Sequence, residues 1–183
     1  ISAGTLKLTG NLNSATDLVI APSATLDLQA ALTAATLDLD GTISNTAGTS
    51  SLIISGTANL GGSITTTGTQ TYSGAVTLSA ATITLTTTDS DVTFGGTIDS
   101  DAGQTRHLTI DTNGTTGTIQ FGGLVGNTVA LGAIGITGNL DLDANIVGAA
   151  SLAVSGSSNL GANVTTSGNQ TYSGAVILST NVS

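Results

Sequence analysis

The chain has 183 residues and a formal net charge of −9, with only 7 % charged and 2 % aromatic residues. Lys7 and Arg106 are its only Lys or Arg, so it lacks the cations needed to neutralise nucleic-acid phosphates or dock on an anionic membrane surface. Without cysteine it has no disulfide, no thiolate metal site and no Cys nucleophile.

No apolar run approaches the roughly 18 residues of a membrane-spanning helix, so no membrane insertion is expected. The apolar set is Ala, Val, Ile and Leu, with Tyr72, Tyr172, Phe94 and Phe121 the only rings. A compact globule relies on a few large side chains; this composition suits a thin, elongated core with repeating layers. All eleven acids are Asp, and the straight-chain helix formers Glu, Lys, Arg and Met are nearly absent. Thr, Val and Ile favour strands, and Gly and Asp favour turns. With no initiator Met and no basic-then-apolar leader, the chain reads as an internal or processed piece of a longer protein.

In chain order, short apolar-x-apolar triplets recur. They include Leu6-Lys7-Leu8, Leu26-Asp27-Leu28, Leu37-Asp38-Leu39, Leu52-Ile53-Ile54, Val76-Thr77-Leu78 and Ile83-Thr84-Leu85. Val92-Thr93-Phe94, Leu108-Thr109-Ile110, Ile119-Gln120-Phe121, Ile134-Gly135-Ile136 and Leu152-Ala153-Val154 follow. Each reads as a strand with two residues inward, bounded by Gly, Asn, Asp and Ser clusters. Several run into a glycine and then another apolar residue, as in Leu6 to Leu12, Leu37 to Ile43 and Ile134 to Leu140. That glycine is expected to turn a corner at positive φ.

Ser51 to Ser79 returns without a gap as Ser151 to Ser179, with 19 of 29 residues identical. A chain that copies itself is read as stacked units. The expected fold is all-β, a β-solenoid occupying residues 1–183 as one continuous segment, with coils of about 20 residues. Ile43 to Ser51 is three residues shorter than Leu140 to Ser151. An outward loop of variable length would account for that. The competing fold is an antiparallel β-sandwich, which the near absence of aromatic core residues disfavours.

Gly61/Gly161 to Ser79/Ser179, read as G-x-x-(Ile/Val)-Thr-Thr-x-G-x-Gln-Thr-Tyr-Ser-Gly-Ala-Val-x-Leu, resembles the repeat of very large secreted bacterial proteins related to filamentous haemagglutinin. So do Asp91 to Asp99, Leu108 to Asp111 and Ile119 to Leu124. The resemblance implies a right-handed parallel β-helix, secretion to the bacterial cell surface and a role as adhesin or surface filament. Its implied partners are a host or neighbouring-cell surface, extracellular matrix or glycan. It implies no catalytic residue and no cofactor, and we expect a chain that is not an enzyme.

Asp-x-Asp occurs at Asp38/Asp40, Asp89/Asp91, Asp99/Asp101 and Asp141/Asp143. On a strand, i and i+2 share a face, so Asp89, Asp91, Asp99, Asp101, Asp141 and Asp143 are candidate Ca²⁺ ligands. The alternative is a solvated acidic edge that keeps the protein soluble. A glycan- or calcium-binding module is therefore the runner-up function, ahead of a carbohydrate-active β-helix or an ice-binding face of Thr-x-Thr rows. His107, the only histidine, reads as an exposed loop residue beside Arg106. Asn11, Asn59, Asn139 and Asn159 are expected to stack as side-chain ladders at corners. Asn113, Asn163, Asn169 and Asn181 lie in glycosylation sequons. The two tyrosines read as padding for core layers. A solenoid without caps exposes strand edges, so end-to-end self-association into a filament is also expected.

Overall fold

The computed structural model describes residues 1–13 and 16–179; the sequon at Asn181 lies outside them. Among the described residues there are 24 short strands and no helix, and every strand pairing is parallel. The chain is a β-solenoid of about nine turns, with three faces per turn. Parallel pairing throughout removes the antiparallel sandwich.

The first face starts at Thr5–Leu8 and repeats as Thr25–Leu28, Thr42–Ser44, Ile64–Thr65, Thr82–Thr86, His107–Asp111 and Leu131–Thr137. The second face runs from Leu12–Asn13 through Ala31–Ala34 and Ser51–Ile54 to Val176–Leu178. The third holds Leu18–Ile20, Leu37–Leu39, Ala58–Leu60, Val76–Leu78 and Ile98–Ser100. It continues through single bridges at Val125 and Ile146. Near the end, Ile146–Val154 passes through a corner without a break, pairing with Val164 on the third face and Gln170–Tyr172 on the first. At about 4.8 Å per turn, the nine-strand stack is about 40 Å long.

The repeating unit is the face, and a bare face takes six residues, or five between Leu32 and Leu37. The leading inward positions Ile134, Leu140, Ile146, Leu152, Ser158, Val164, Gln170 and Val176 step round the three faces in that rhythm. A bare turn is therefore 18 residues, as between Leu140 and its partner Ser158. Other turns range from the 17-residue step between Leu26 and Ile43 to the 27-residue step from Val92 to Ile119, the added residues leaving at corners. No single coil length fits such a chain, which is why a 20-residue coil described it only on average.

This rhythm also relocates the sequence copies. Ser51–Ile54 is on the second face, whereas Leu152 to Val154 pair on the first. Tyr72 stacks between Ile54 and Phe94, and Tyr172 pairs with Val154. The copies thus share local structure but stand on different faces, not in line. Leu140 to Ser151 is longer than Ile43 to Ser51 because it passes an additional face at Ile146, not because a loop has grown.

Inward side chains stack in columns along the axis. One is Leu26, Ile43, Ile64, Leu85, Ile110, Ile136 and Val154. Another is Ile54, Tyr72, Phe94, Phe121, Leu142 and Leu160, with Tyr72 stacked on Phe94 at 5.1 Å and 13°, and Phe94 tilted on Phe121 at 5.6 Å. Three of the four rings thus form one central pile, as offset stacking favours.

The corner glycines do not work through positive φ. Of Gly10, Gly41, Gly95, Gly96, Gly122, Gly123 and Gly138 in the corner motifs, only Gly138 has one. Instead Gly56, Gly74, Gly96 and Gly123 form a column in which backbone rests on backbone. A Cβ on Gly96 would lie 2.3 Å from Gly74, and one on Gly123 would lie 2.2 Å from Gly96. Neighbouring Gly95 has room, its nearest contact being 3.3 Å. Gly96→Ala should therefore lower stability by about 1–3 kcal/mol through overpacking, with Gly95→Ala losing markedly less, in paired urea melts.

The two copies also differ in cover. Tyr72 Oη donates to Gln70 Oε1 at 3.1 Å and Gln70 Nε2 donates to Thr66 Oγ1 at 3.2 Å, both buried, and Gln70 Nε2 also donates to Thr86 O at 3.0 Å in a part-buried setting. Burial pushes the Tyr72 phenol up from its ordinary value. Tyr172 makes the same bond to Gln170 at 3.3 Å in an exposed setting. Tyr72→Phe strands a buried acceptor and should cost about 1–3 kcal/mol, while Tyr172→Phe should be near neutral in the same urea melts.

Candidate functional site

Corner insertions concentrate between Thr86 and Ala133, and the side chains with chemistry gather there. Aspartates of one turn reach to the loops of the next. Asp89 Oδ1 accepts from the Thr116 and Gly117 amides at 2.8 and 3.1 Å, and Asp91 Oδ1 accepts from Thr118 N at 2.8 Å. Asp99 Oδ1 accepts from Thr128 N at 2.7 Å and Val129 N at 3.1 Å. Asp101 takes a two-pronged ion pair from Arg106, with Nε to Oδ1 at 2.6 Å and Nη2 to Oδ2 at 2.8 Å. Ser100 Oγ donates to Ala130 O and accepts from Arg106 N, each at 2.9 Å. His107 opens a strand and is not part of a loop; its exposed ring accepts from Ala133 N through Nδ1 at 2.9 Å.

These bonds set the electrostatics. The Thr116 and Gly117 amides hold the Asp89 carboxyl below its ordinary range. Arg106 does the same for Asp101, and Asp101 raises Arg106 in return. Asp27, on the first face, is lowered chiefly by the Thr46 hydroxyl, which donates to Oδ2 at 2.7 Å.

The Asp-x-Asp pairs do not act as pairs. Asp89 and Asp91 serve successive parts of one loop, whereas Asp99 serves the 126–130 loop and Asp101 serves Arg106. Asp141 Oδ1 accepts from Asn159 Nδ2 at 2.8 Å, and Asp143 Oδ2 accepts from Gln120 Nε2 at 2.7 Å. Asp38 Oδ1 likewise accepts from Asn59 Nδ2 at 2.8 Å. Among the described residues no three His, Cys, Asp or Glu side chains come together as a metal site would need.

The Asn ladders are not formed. Asn59 and Asn159 occupy different faces and each meets an aspartate of the preceding turn. Asn11 Oδ1 accepts from Ala31 N, and Asn139 Oδ1 accepts from Ser157 N. Asparagine here ties side chain to the backbone or carboxylate of a neighbouring turn, because the positions that would stack it on itself hold other residues. Asn113 and Asn169 are exposed.

Threonines do align on the first face, as Thr5-Thr25-Thr42, Thr65-Thr86 and Thr84-Thr109. The companion row is interrupted by Lys7, Asp27 and Asp111, and Gly135 and Ala153 leave a hollow of about 280 Å³. A cleft of about 340 Å³ lies beneath the inserted corners, between Thr105, Ala130 and Leu131 on one side and Gly148, Ala149 and Thr166 on the other. Its lining has no ionisable side chain. A smaller one of about 170 Å³ brings Asp91, Gln120 and Asp141 to one concavity. Sequence reading offers the Asp pairs as Ca²⁺ ligands or as a solvated acidic edge; the role it misses, loop anchor, has a signal in the clustering of Asp89, Asp91, Asp99 and Asp101 on the longest turns.

The lowered carboxyls fix the sign of the acid response. Asp27, Asp89 and Asp101 titrate lower when folded than the ordinary 3.8, so their contribution is present above that value and is lost as pH falls below it through the lowered folded values. Melting temperature should be flat from neutral pH down to about pH 5 and should drop below the ordinary carboxylate range, as followed by circular dichroism. No protein-family model, curated protein or solved structure matches this chain.

Proposed function

We propose that this chain is a structural segment of a long extracellular bacterial fibre, holding an adhesive surface away from the cell. The observation that carries this reading is the continuous core, which runs unbroken from Ile20 to Leu160 beneath three parallel ladders. Such a stack has no intrinsic length, since each turn contacts only its neighbours. The resemblance of Gly61–Ser79 and Gly161–Ser179 to the filamentous-haemagglutinin repeat supports secretion and surface location.

The outward residues suit that task. They are largely Ser, Thr, Asn and Asp, so the rod stays hydrated without a strongly charged surface. In this reading the chain performs no catalysis. Its partners are a host or neighbouring-cell surface, matrix or glycan, met by the hydroxyl-rich faces.

Two measurements test the reading. Small-angle scattering of the monomer should give a rod about 40 Å long, the length nine turns require; an isotropic particle would remove the fibre. Purified chain should be retained on cells or on a glycan and matrix array. Absence of retention would remove the adhesive part and leave a spacer.

A further inference from the structure

We propose that Asn113 is a site of spontaneous chemical modification, losing its side-chain amide to give aspartate and isoaspartate in the folded protein. The only co-reactant is water, and the inference does not depend on the fibre reading.

Asn113 is the only asparagine of the chain followed by glycine. In such a pair the glycine nitrogen can reach the asparagine Cγ, because no Cβ shields it. In a folded chain the outcome depends on what holds the two groups. Here the corner is fixed on either side and free in between. Thr112 is fully buried, and its amide and hydroxyl both donate to Thr137 O, at 2.9 and 3.2 Å. Further on, the Thr116 and Gly117 amides donate to Asp89 Oδ1. Between these posts Asn113 is exposed at φ 49°, a conformation asparagine tolerates better than most residues. Its main-chain amide donates to Asp111 Oδ1 at 2.8 Å. Among the described residues, neither the Asn113 side chain nor the Gly114 amide has a hydrogen-bond partner. Other asparagines are tied: Asn45 Nδ2 donates to Leu28 O at 2.7 Å, and Asn145 Oδ1 accepts from Asn163 N at 2.9 Å.

The fastening of the corner itself creates the reactive pair. A Cβ on Gly114 would lie 2.2 Å from Asp89 Oδ1 and 2.5 Å from Asp89 Cβ. The residue that anchors Thr116 and Gly117 therefore leaves no room for a side chain at 114.

The Gly114 nitrogen gives its proton to solvent and bonds to Asn113 Cγ. The side-chain nitrogen takes a proton and leaves as ammonia, closing a cyclic imide. Water then adds to either imide carbonyl and opens the ring. The net change consumes water, releases ammonia and needs no oxidant or reductant. The product carries a new carboxylate on the corner that already holds Asp111 and Asp89, where like charges repel. Isoaspartate also adds a methylene to the main chain. Both changes loosen the Thr116 and Gly117 amides from Asp89.

The test is to hold the folded chain in warm, mildly alkaline buffer and then digest it with an endoprotease that cuts before aspartate. No Asp lies between Asp111 and Asp141, so residues 111–140 are released as one peptide. The isoaspartate form should keep this length, gain the mass of an amide-to-acid exchange and accept a methyl group from protein isoaspartyl methyltransferase. The aspartate form should gain a cut before residue 113. Asn127, exposed and followed by Thr128, is the internal comparison and should keep its amide. Asn113→Gly, which preserves the positive φ, should abolish both products. Hydrogen exchange at Thr116 and Gly117 should be faster in the converted protein. Folded wild type that keeps its amide at 113 while a synthetic peptide of residues 110–117 loses it overturns the proposal. So does conversion at Asn127 as fast as at Asn113. Unchanged exchange at Thr116 and Gly117 after conversion overturns the loosening of the corner.

Discussion

The structure depends on one constraint: a parallel backbone ladder running along the axis on all three faces at once. Each turn must present strands at matching heights, so a face has a minimal length of five or six residues. The six-residue face satisfies this, with inward side chains at its strand and a small residue at its corner. Everything added to a turn must leave outward at a corner, because an insertion inside a strand would move its inward residues to the outer side.

That constraint explains the glycine column. Corners on successive turns sit directly over one another, and at Gly56, Gly74, Gly96 and Gly123 main chain rests on main chain. The requirement there is for the absence of a Cβ, not for an unusual dihedral. It also explains the central ring pile. Tyr72, Phe94 and Phe121 follow one another because a ring on one turn leaves a space best filled by a ring on the next.

Insertions need support, and aspartate supplies it. A carboxylate on the turn below accepts the amides that a protruding loop leaves unpaired, as Asp89 and Asp99 do. Acidic residues that look like metal ligands in a linear reading are here the fastening between turns. Asp89, Asp91, Asp99 and Asp101 fall where the turns are longest.

Much of this was already written in the residues. Alternating triplets such as Leu37-Asp38-Leu39 declare strands, scarce helix formers exclude helix, and self-similarity declares a stack. These are local properties, and local propensity and period are enough to determine them. The register was not local. Whether Tyr172 lies over Tyr72 depends on how many corners intervene, and sequence similarity cannot count corners when a loop and an additional face cost similar numbers of residues. The partners of Asp99 and Asn59 are likewise a turn away along the axis, a distance only the wound chain defines. The residues determined the kind of turn; the tertiary structure decided which turn each residue meets, because the ladder joins positions 17 to 27 residues apart.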